Sequence, residues 1–180
     1  NWQETVLPKA REIRDALVAS GVRVMLDDRD ASTPGWKFSE WELRGVPLRL
    51  EIGPKDIEKQ QVFSARRDTR EKQALPIDGL PGRVCELLDA IQQNLFDRAV
   101  AYRADHTSRT ESWDEFAEIM EGRPGFVVSP WCGDAACEAD IKTATQATIR
   151  NLPMDAERPA GTCIRCGKPA TETAWFAKAY

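Results

Sequence analysis

The sequence lacks the features that mark membrane and secreted proteins. No apolar run approaches the roughly 20 residues that a membrane-spanning helix needs, although 42% of the residues are hydrophobic. No basic segment followed by an apolar stretch and a small-residue cleavage site opens the chain, as in a secretory leader. These absences predict a cytoplasmic protein with no membrane partner.

Basic charge is not in excess either. The 25 lysines and arginines face 29 aspartates and glutamates, which gives a net charge of −4 and a sequence pI of about 5.2. A protein that coats nucleic acid indiscriminately carries a basic surface, so we expect no DNA partner. An initiator methionine is also missing, since the chain begins at Asn1, and we expect it to be a segment of a longer protein.

Recognisable catalytic motifs are scarce. His106 is the single histidine, and it lies in a polar stretch without a recognisable catalytic partner, so a surface histidine is the simpler interpretation. Five residues separate Gly161 from Gly167 where a phosphate-binding loop has four, and Pro169 stands where that loop has a hydroxyl residue. We therefore expect no phosphate-binding loop.

The first half of the chain alternates helical and extended patterns. The predicted elements are a helix over 5–20, a strand over 22–26, a helix over 33–44, a strand over 46–52 and a hairpin of 61–65 with 72–75. The acidic residues Asp27, Asp28 and Asp30 are predicted to form a solvated turn. This alternation predicts an α/β domain with a mixed sheet over 1–80. Such a domain usually starts with a strand, so we expect its first strand upstream of Asn1.

The second half begins with a long helical pattern. Apolar residues keep helical period from Val84 to Val100 and predict a connecting helix over 81–106. Beyond it, the patterns predict a helix over 112–122, a buried strand over 126–128 and a helix that continues over 143–148. These elements predict a smaller α/β domain over 107–180.

Four of the five cysteines form two close pairs. The pairs are Cys132-x4-Cys137 and Cys163-x2-Cys166, and Gly133 and Gly167 each directly follow a cysteine, as in the tight turns of a metal knuckle. Two such pairs can place four thiolates around a structural zinc ion. Disulfides, a redox Cys-x-x-Cys motif and unrelated buried thiols are the alternatives, and the double pairing favours zinc. Cys85, on the connecting helix, is predicted to be a small buried hydrophobe.

Two motif blocks carry a family resemblance. The segment 35–56, GWKFSEWELRGVPLRLEIGPKD, and the preceding LDDR at 26–29 resemble the anticodon-binding domain of class II prolyl-tRNA synthetases. The stretches SPWCGDAAC at 129–137, ATIR at 147–150 and CIRCGKP at 163–169 resemble the zinc-binding C-terminal domain of the archaeal and eukaryotic type of that enzyme, also found in some bacteria. The resemblance spans essentially the whole chain.

The resemblance implies which residues recognise tRNA(Pro). Phe38, Glu42, Arg49 and Lys55 match the family's anticodon-reading positions. Phe38 would stack on a base, Glu42 would accept hydrogen bonds from base amino groups, and Arg49 and Lys55 would donate to guanine. The remaining expectations are phosphate contacts from Arg66, Arg67 and Arg70, and packing roles for Trp36, Trp41 and Leu43.

The resemblance also implies a larger enzyme. ATP, Mg²⁺ and proline would be bound by a catalytic domain of the same chain, upstream of this segment, and the full-length enzyme is expected to be a homodimer. The C-terminal carboxylate of Tyr180 is expected to lie near that enzyme's active site. Two other hypotheses stay open: a free-standing tRNA-binding module without a catalytic domain, and a zinc enzyme of another class with an open metal position.

Overall fold

A computed structural model describes residues 2–122 and 125–179. The chain divides into two compact units, Asn1–Arg98 and Ala99–Tyr180. None of the helices in the described ranges has the length and apolarity to cross a membrane.

The first unit combines helices with a three-stranded sheet. Its elements are α1 (Trp2–Thr5), α2 (Leu7–Ala19), α3 (Pro34–Leu43), β1 (Leu48–Glu51), α4 (Pro54–Glu58), β2 (Gln61–Arg66) and β3 (Lys72–Pro76), followed by α5 (Leu80–Asp105), which continues into the second unit. The sheet has the order β1-β2-β3, and both strand pairs are antiparallel. The core forms where apolar residues of α2, β2, β3 and α5 meet: Ile13, Leu17, Val62, Leu75, Leu80 and Val84.

The second unit is built on a four-stranded sheet. Its elements after α5 are β4 (Thr107–Arg109), α6 (Trp113–Gly122), β5 (Phe126–Trp131), α7 (Ala135–Thr145), β6 (Ala147–Asn151) and β7 (Glu172–Lys178). The order is β4-β5-β7-β6, with β4 parallel to β5 and the other pairs antiparallel. Phe116 of α6, Ile141 of α7 and Phe176 of β7 are fully buried in its core.

The α/β class and most predicted elements are confirmed. Helices lie at 7–19, 34–43, 80–105 and 113–122, and the hairpin of 61–66 with 72–76 forms as predicted. The placement of the mixed sheet differs, because it lies in the second unit, while the described strands of the first unit are all antiparallel.

The predicted strand over 22–26 is wrong in the described structure. These residues are not part of the sheet, because a strand exists only where a neighbouring strand completes its hydrogen bonds. Together with α3 and β1, they line a cleft of about 1420 Å³ in the first unit. Val22 and Val24 nevertheless pack against the core of that unit.

The predicted helix over 143–148 extends too far. The last helix ends at Thr145 and is capped by Gln146, whose φ of 64° is left-handed, and residues 147–151 form β6 instead. β4, β6 and β7 were not predicted. Their backbones pair with β5 or with each other, which a short pattern in a single segment does not reveal.

Candidate functional site

Ionic contacts hold α3 in place in the first unit. Thr33 caps its N-terminus, since its hydroxyl accepts from the backbone N–H of Trp36. Near its other end, Trp41 Nε1 donates to Asp27 Oδ2 at 2.8 Å, and Arg29 bridges Asp27 Oδ2 at 2.6 Å and Glu40 Oε2 at 2.7 Å. The predicted solvated turn is therefore wrong for Asp27, which is largely buried, because Arg29 and Trp41 bind its carboxylate. These bonds, that of Arg29 foremost, hold the pKa of Asp27 well below its usual range.

Three of the four predicted anticodon-reading residues lie together. Phe38 and Glu42, one turn apart on α3, both contact Arg49 of β1: the guanidinium carbon of Arg49 is 3.9 Å from the Phe38 ring centroid, and its Nη1 is 3.3 Å from Glu42 Oε1. Arg49 also donates from Nε and Nη2 to Glu51 Oε1, both at 2.9 Å. Arg70 completes the group, with its Nη1 2.6 Å from Glu42 Oε2. We call Phe38, Glu42, Arg49, Glu51 and Arg70 the arginine cluster.

The donors of Arg49 are only partly used. An arginine carries five N–H donors, and contacts to Glu51 and Glu42 engage three nitrogens, once each. About two N–H groups remain, as many as a guanine can accept at O6 and N7. One face of the Phe38 ring is already covered by Arg49, so a base can stack on the other face of the ring or on the guanidinium plane.

Glu42 is ionised and doubly paired. The hydrogen bond from Arg70 is the main cause that lowers the pKa of Glu42 below its ordinary value, and the bond from Arg49 acts in the same direction. A carboxylate that stays ionised only accepts hydrogen bonds, so Glu42 suits base amino groups. Glu51 and Arg70 were missed as members of this site. The Arg49-x-Glu51 spacing, which puts both side chains on one face of β1, was a usable signal for Glu51.

The other residues predicted to contact tRNA lie outside the arginine cluster, except Arg70. Lys55 is exposed on the first turn of α4, and among the described residues it makes none of the contacts of the arginine cluster. Arg66 binds Asp68 at 2.7 Å and is 15% exposed, so it has little freedom to reach a phosphate. Arg67 is exposed, and its Nε donates to the backbone oxygen of Glu42 at 3.0 Å. Tyr180 lies outside the described residues.

The packing roles predicted for the α3 side chains hold only for Trp41. That residue is half-buried and bonded to Asp27. Trp36 is 53% exposed and Leu43 is 88% exposed, which contradicts a packing role for either. Their side chains leave the helix on its outer face, because Phe38 and Trp41 occupy the face that turns toward the sheet.

The four paired cysteines meet in the second unit. Cys132 follows β5, Cys137 lies on the first turn of α7, and Cys163 and Cys166 flank a tight turn that Thr162 and Pro169 close with a β-bridge. All four sulfur atoms lie within 4.8 Å of one another. We call these four residues the thiol cluster.

The sulfur separations fit a tetrahedral ion. Cys137 and Cys163 have their sulfurs 3.5 Å apart, and those of Cys132 and Cys166 are 3.7 Å apart. A disulfide needs about 2.05 Å, whereas four sulfurs at about 2.3 Å from one zinc ion lie about 3.8 Å apart. The donor set therefore fits a four-sulfur zinc site and leaves no position for a catalytic water.

Backbone conformation brings the thiols together. Gly133 and Gly167, the glycines that follow the cysteines, have φ values of 80° and 70°, which only glycine adopts without strain.

Burial raises the pKa of Cys137 well above its ordinary value. Burial also opposes ionisation of Cys163, but backbone N–H groups of Cys166 and Arg165 outweigh it and lower the pKa of Cys163 to about 7. Of these two buried thiols, Cys137 therefore resists ionisation and Cys163 ionises more readily.

Two residues that the sequence set aside remain outside both clusters. The ring of His106 stacks on Tyr102, with centroids 3.9 Å apart, and its Nδ1 lies 2.8 Å from the backbone oxygen of Tyr102. It is half-buried rather than fully exposed. Cys85 is also half-buried, and not fully buried as predicted, because its position on α5 lies at the border of the core face.

The comparisons with known proteins match both units. Residues 1–87 match the family described as "Anticodon binding domain", and residues 113–180 match "Prolyl-tRNA synthetase, C-terminal". Proline–tRNA ligase 2 of Clostridioides difficile (strain 630) is 49% identical over 97% of this chain and 36% of its own length. Proline–tRNA ligase of Lachnoclostridium phytofermentans is 48% identical over 99% of this chain and 37% of its own length.

These matches assign the chain to a protein family. The relatives are aminoacyl-tRNA synthetases, and the part of them that this chain matches includes an anticodon-binding domain. The chain belongs to the prolyl-tRNA synthetase family, and it corresponds to the C-terminal part of that enzyme. It spans a little over a third of the length of the curated relatives it matches, 36% in the C. difficile protein.

Proposed function

We propose that this chain is the tRNA-recognition and scaffold part of an enzyme that attaches proline to tRNA(Pro) with ATP. The main support is the arginine cluster, whose residues all lie within the range 1–87 that matches the anticodon-binding family. Relatives named proline–tRNA ligase carry this sequence within longer chains, which favours a ligase part over a free-standing module. A zinc enzyme of another class is disfavoured by four thiol ligands.

Each residue of the site takes a role that its chemistry allows. Arg49 donates its free N–H groups to an anticodon guanine, and Glu42 accepts from a base amino group. A base stacks on the open face of Phe38 or on the guanidinium of Arg49. Lys55, exposed on α4, supplies a further donor to guanine.

Zinc is the proposed occupant of the thiol cluster. Cys132, Cys137, Cys163 and Cys166 would hold it, and its role is structural, since four sulfurs close the coordination sphere. The ion would tie the loop after β5 and the start of α7 to the turn at 163–166. ATP and Mg²⁺ belong to the catalytic domain and are not expected to bind this chain.

The proposed domain limits are 1–80 for anticodon binding, 81–106 for the connecting helix and 107–180 for the zinc-binding domain. The cleft lined by residues 22–29 and the edge strand β1 supports a further strand in the first domain. The full-length enzyme is proposed to be a cytoplasmic homodimer, with the carboxylate of Tyr180 near its active site.

Binding of tRNA(Pro) with intact and with replaced anticodon guanines tests this function. We expect the wild-type chain to prefer the intact tRNA, and Arg49→Gln to lose about 5- to 100-fold of that preference, because one bidentate base contact is removed. Arg14→Gln, on α2 and paired with Asp15, is the matched control and should keep the preference. Equal binding of both tRNAs by the wild-type chain would overturn the proposal.

A further inference from the structure

The two arginines that bind Glu42 are held very differently. Arg49 is 16% exposed and is fixed by Glu51, Glu42 and the Phe38 ring. Arg70 is 69% exposed, and Glu42 is the one side chain that it bonds among the described residues. An ion pair at such an exposed site is weak and is readily exchanged for another partner.

The backbone that carries Arg70 is anchored, whereas its exposed side chain is bonded to Glu42 alone among the described side chains. Arg70 lies in the turn between β2 and β3 and has a left-handed φ of 64°. In the same turn, Asp68 is 1% exposed, binds Arg66 at 2.7 Å, and accepts from Asn94 Nδ2 of α5 at 2.6 Å. These bonds anchor the turn to α5, so the Arg70 side chain can change its partner without a movement of the turn.

We propose that Arg70 is a displaceable partner of Glu42, which it neutralises in the free chain and leaves for an RNA phosphate when an anticodon base donates to Glu42. This inference rests on the proposed function. Without Arg70, Glu42 would keep only its longer contact to Arg49, whose charge Glu51 already shares, and its negative charge would repel the approaching phosphates. Arg70 removes that repulsion. In the complex, the base amino group replaces Arg70 at Glu42 Oε2, and the released guanidinium is free to bind the backbone of the same strand.

A double-mutant cycle between Glu42→Gln and Arg70→Gln tests the exchange. If Arg70 is displaced, tRNA binding to the wild-type chain includes the cost of breaking its pair with Glu42. Arg70→Gln removes that cost, which favours binding, and also removes the phosphate contact, which weakens binding. In the Glu42→Gln background only the phosphate contact is lost. The affinity loss caused by Arg70→Gln should therefore be about two- to fivefold larger in the Glu42→Gln background than in the wild type.

The opposite result identifies a static clamp. If Arg70 stays on Glu42 in the complex and merely orients it, Arg70→Gln should weaken binding in the wild type and have almost no effect in the Glu42→Gln background. That result, or equal losses in both backgrounds, overturns the proposal. A second readout is the salt dependence of binding, in which Arg70→Gln should reduce the log–log slope by about 0.7 if a phosphate contact is lost.

Arg67→Gln is the matched control. Arg67 lies in the same turn but donates to the backbone oxygen of Glu42, which Glu42→Gln leaves in place. Its effect on affinity should be the same in both backgrounds. If the wild-type chain does not distinguish tRNA(Pro) from its anticodon-replaced form, the proposed function fails first. If it does distinguish them but the cycle has the wrong sign, the exchange alone fails.

Discussion

The arginine cluster and the thiol cluster differ in how their polar groups are satisfied in the chain itself. The first lies on the surface of its unit, where ion pairs satisfy each charged group before any ligand arrives. The second is built into a core, where Cys137 and Cys163 are buried beside Ile164 and Phe176. The fold around the arginines therefore needs no ligand, whereas the proposed zinc ion would complete the core around the thiols.

Replacement of a cysteine of the thiol cluster should cause the largest loss of stability. Cys163→Ser is expected to unfold the second unit or to lower its free energy of unfolding by about 3 kcal/mol or more, because a structural zinc contributes directly to folding. Zinc content per chain and thermal unfolding measure this. Cys85→Ser, outside the thiol cluster, is the control and should keep both zinc and stability. A folded Cys163→Ser chain of unchanged melting temperature would contradict the structural role.

A loss of equal or smaller size is expected in the first unit, at the turn between β2 and β3 that carries Arg70. Asp68→Asn leaves Arg66 without its counter-ion in a nearly buried position, and we expect a cost of about 3 kcal/mol in the free energy of unfolding. Urea unfolding of the chain measures it. Asp15→Asn removes the partner of Arg14 at an exposed site and should change stability by less than about 1 kcal/mol. Equal effects of the two variants would refute the anchoring role of Asp68.

The same carboxylate makes stability depend on pH. The hydrogen bond from Arg66, first of all, holds the pKa of Asp68 in the folded chain below its unfolded value of about 3.9. The folded state then binds fewer protons than the unfolded state in acid. The contribution of Asp68 is complete above about pH 5 and is lost as the pH falls below 4. Urea midpoints between pH 3 and 7 should fall less steeply for Asp68→Asn than for the wild type, and parallel curves would count against this assignment.

The smallest effect is expected on the outer face of α3. Leu43→Ser should change the free energy of unfolding by no more than about 0.5 kcal/mol, because the side chain is almost fully exposed. Leu17→Ser, in the core of the same unit, is the contrasting variant and should unfold or strongly destabilise it. A large loss on Leu43→Ser in chemical denaturation would mean that this residue packs after all.

Local sequence signals predicted both clusters to different extents. The cysteine spacing and the following glycines predicted the thiol cluster. Two cysteines a few residues apart, with a glycine turn beside them, can direct both sulfurs to one point. The arginine cluster was predicted through resemblance, and only Phe38, Glu42 and Arg49 came together. The phosphate contact of Arg66 stays a prediction, and its pairing with Asp68, two residues away, leaves it little freedom to reach a phosphate.

Periodicity and turn residues act over a few neighbours, so the amino-acid pattern was enough to predict the long helices α2, α3, α5 and α6, the hairpin and the two cysteine turns. The folded chain was needed to see that Arg70 meets Glu42 across 28 positions and that Asn94 meets Asp68 across 26. It also decided that residues 22–26 form no strand and that 172–178 do. The physical reason is that strand pairing and ion pairing depend on which distant groups the fold brings within reach.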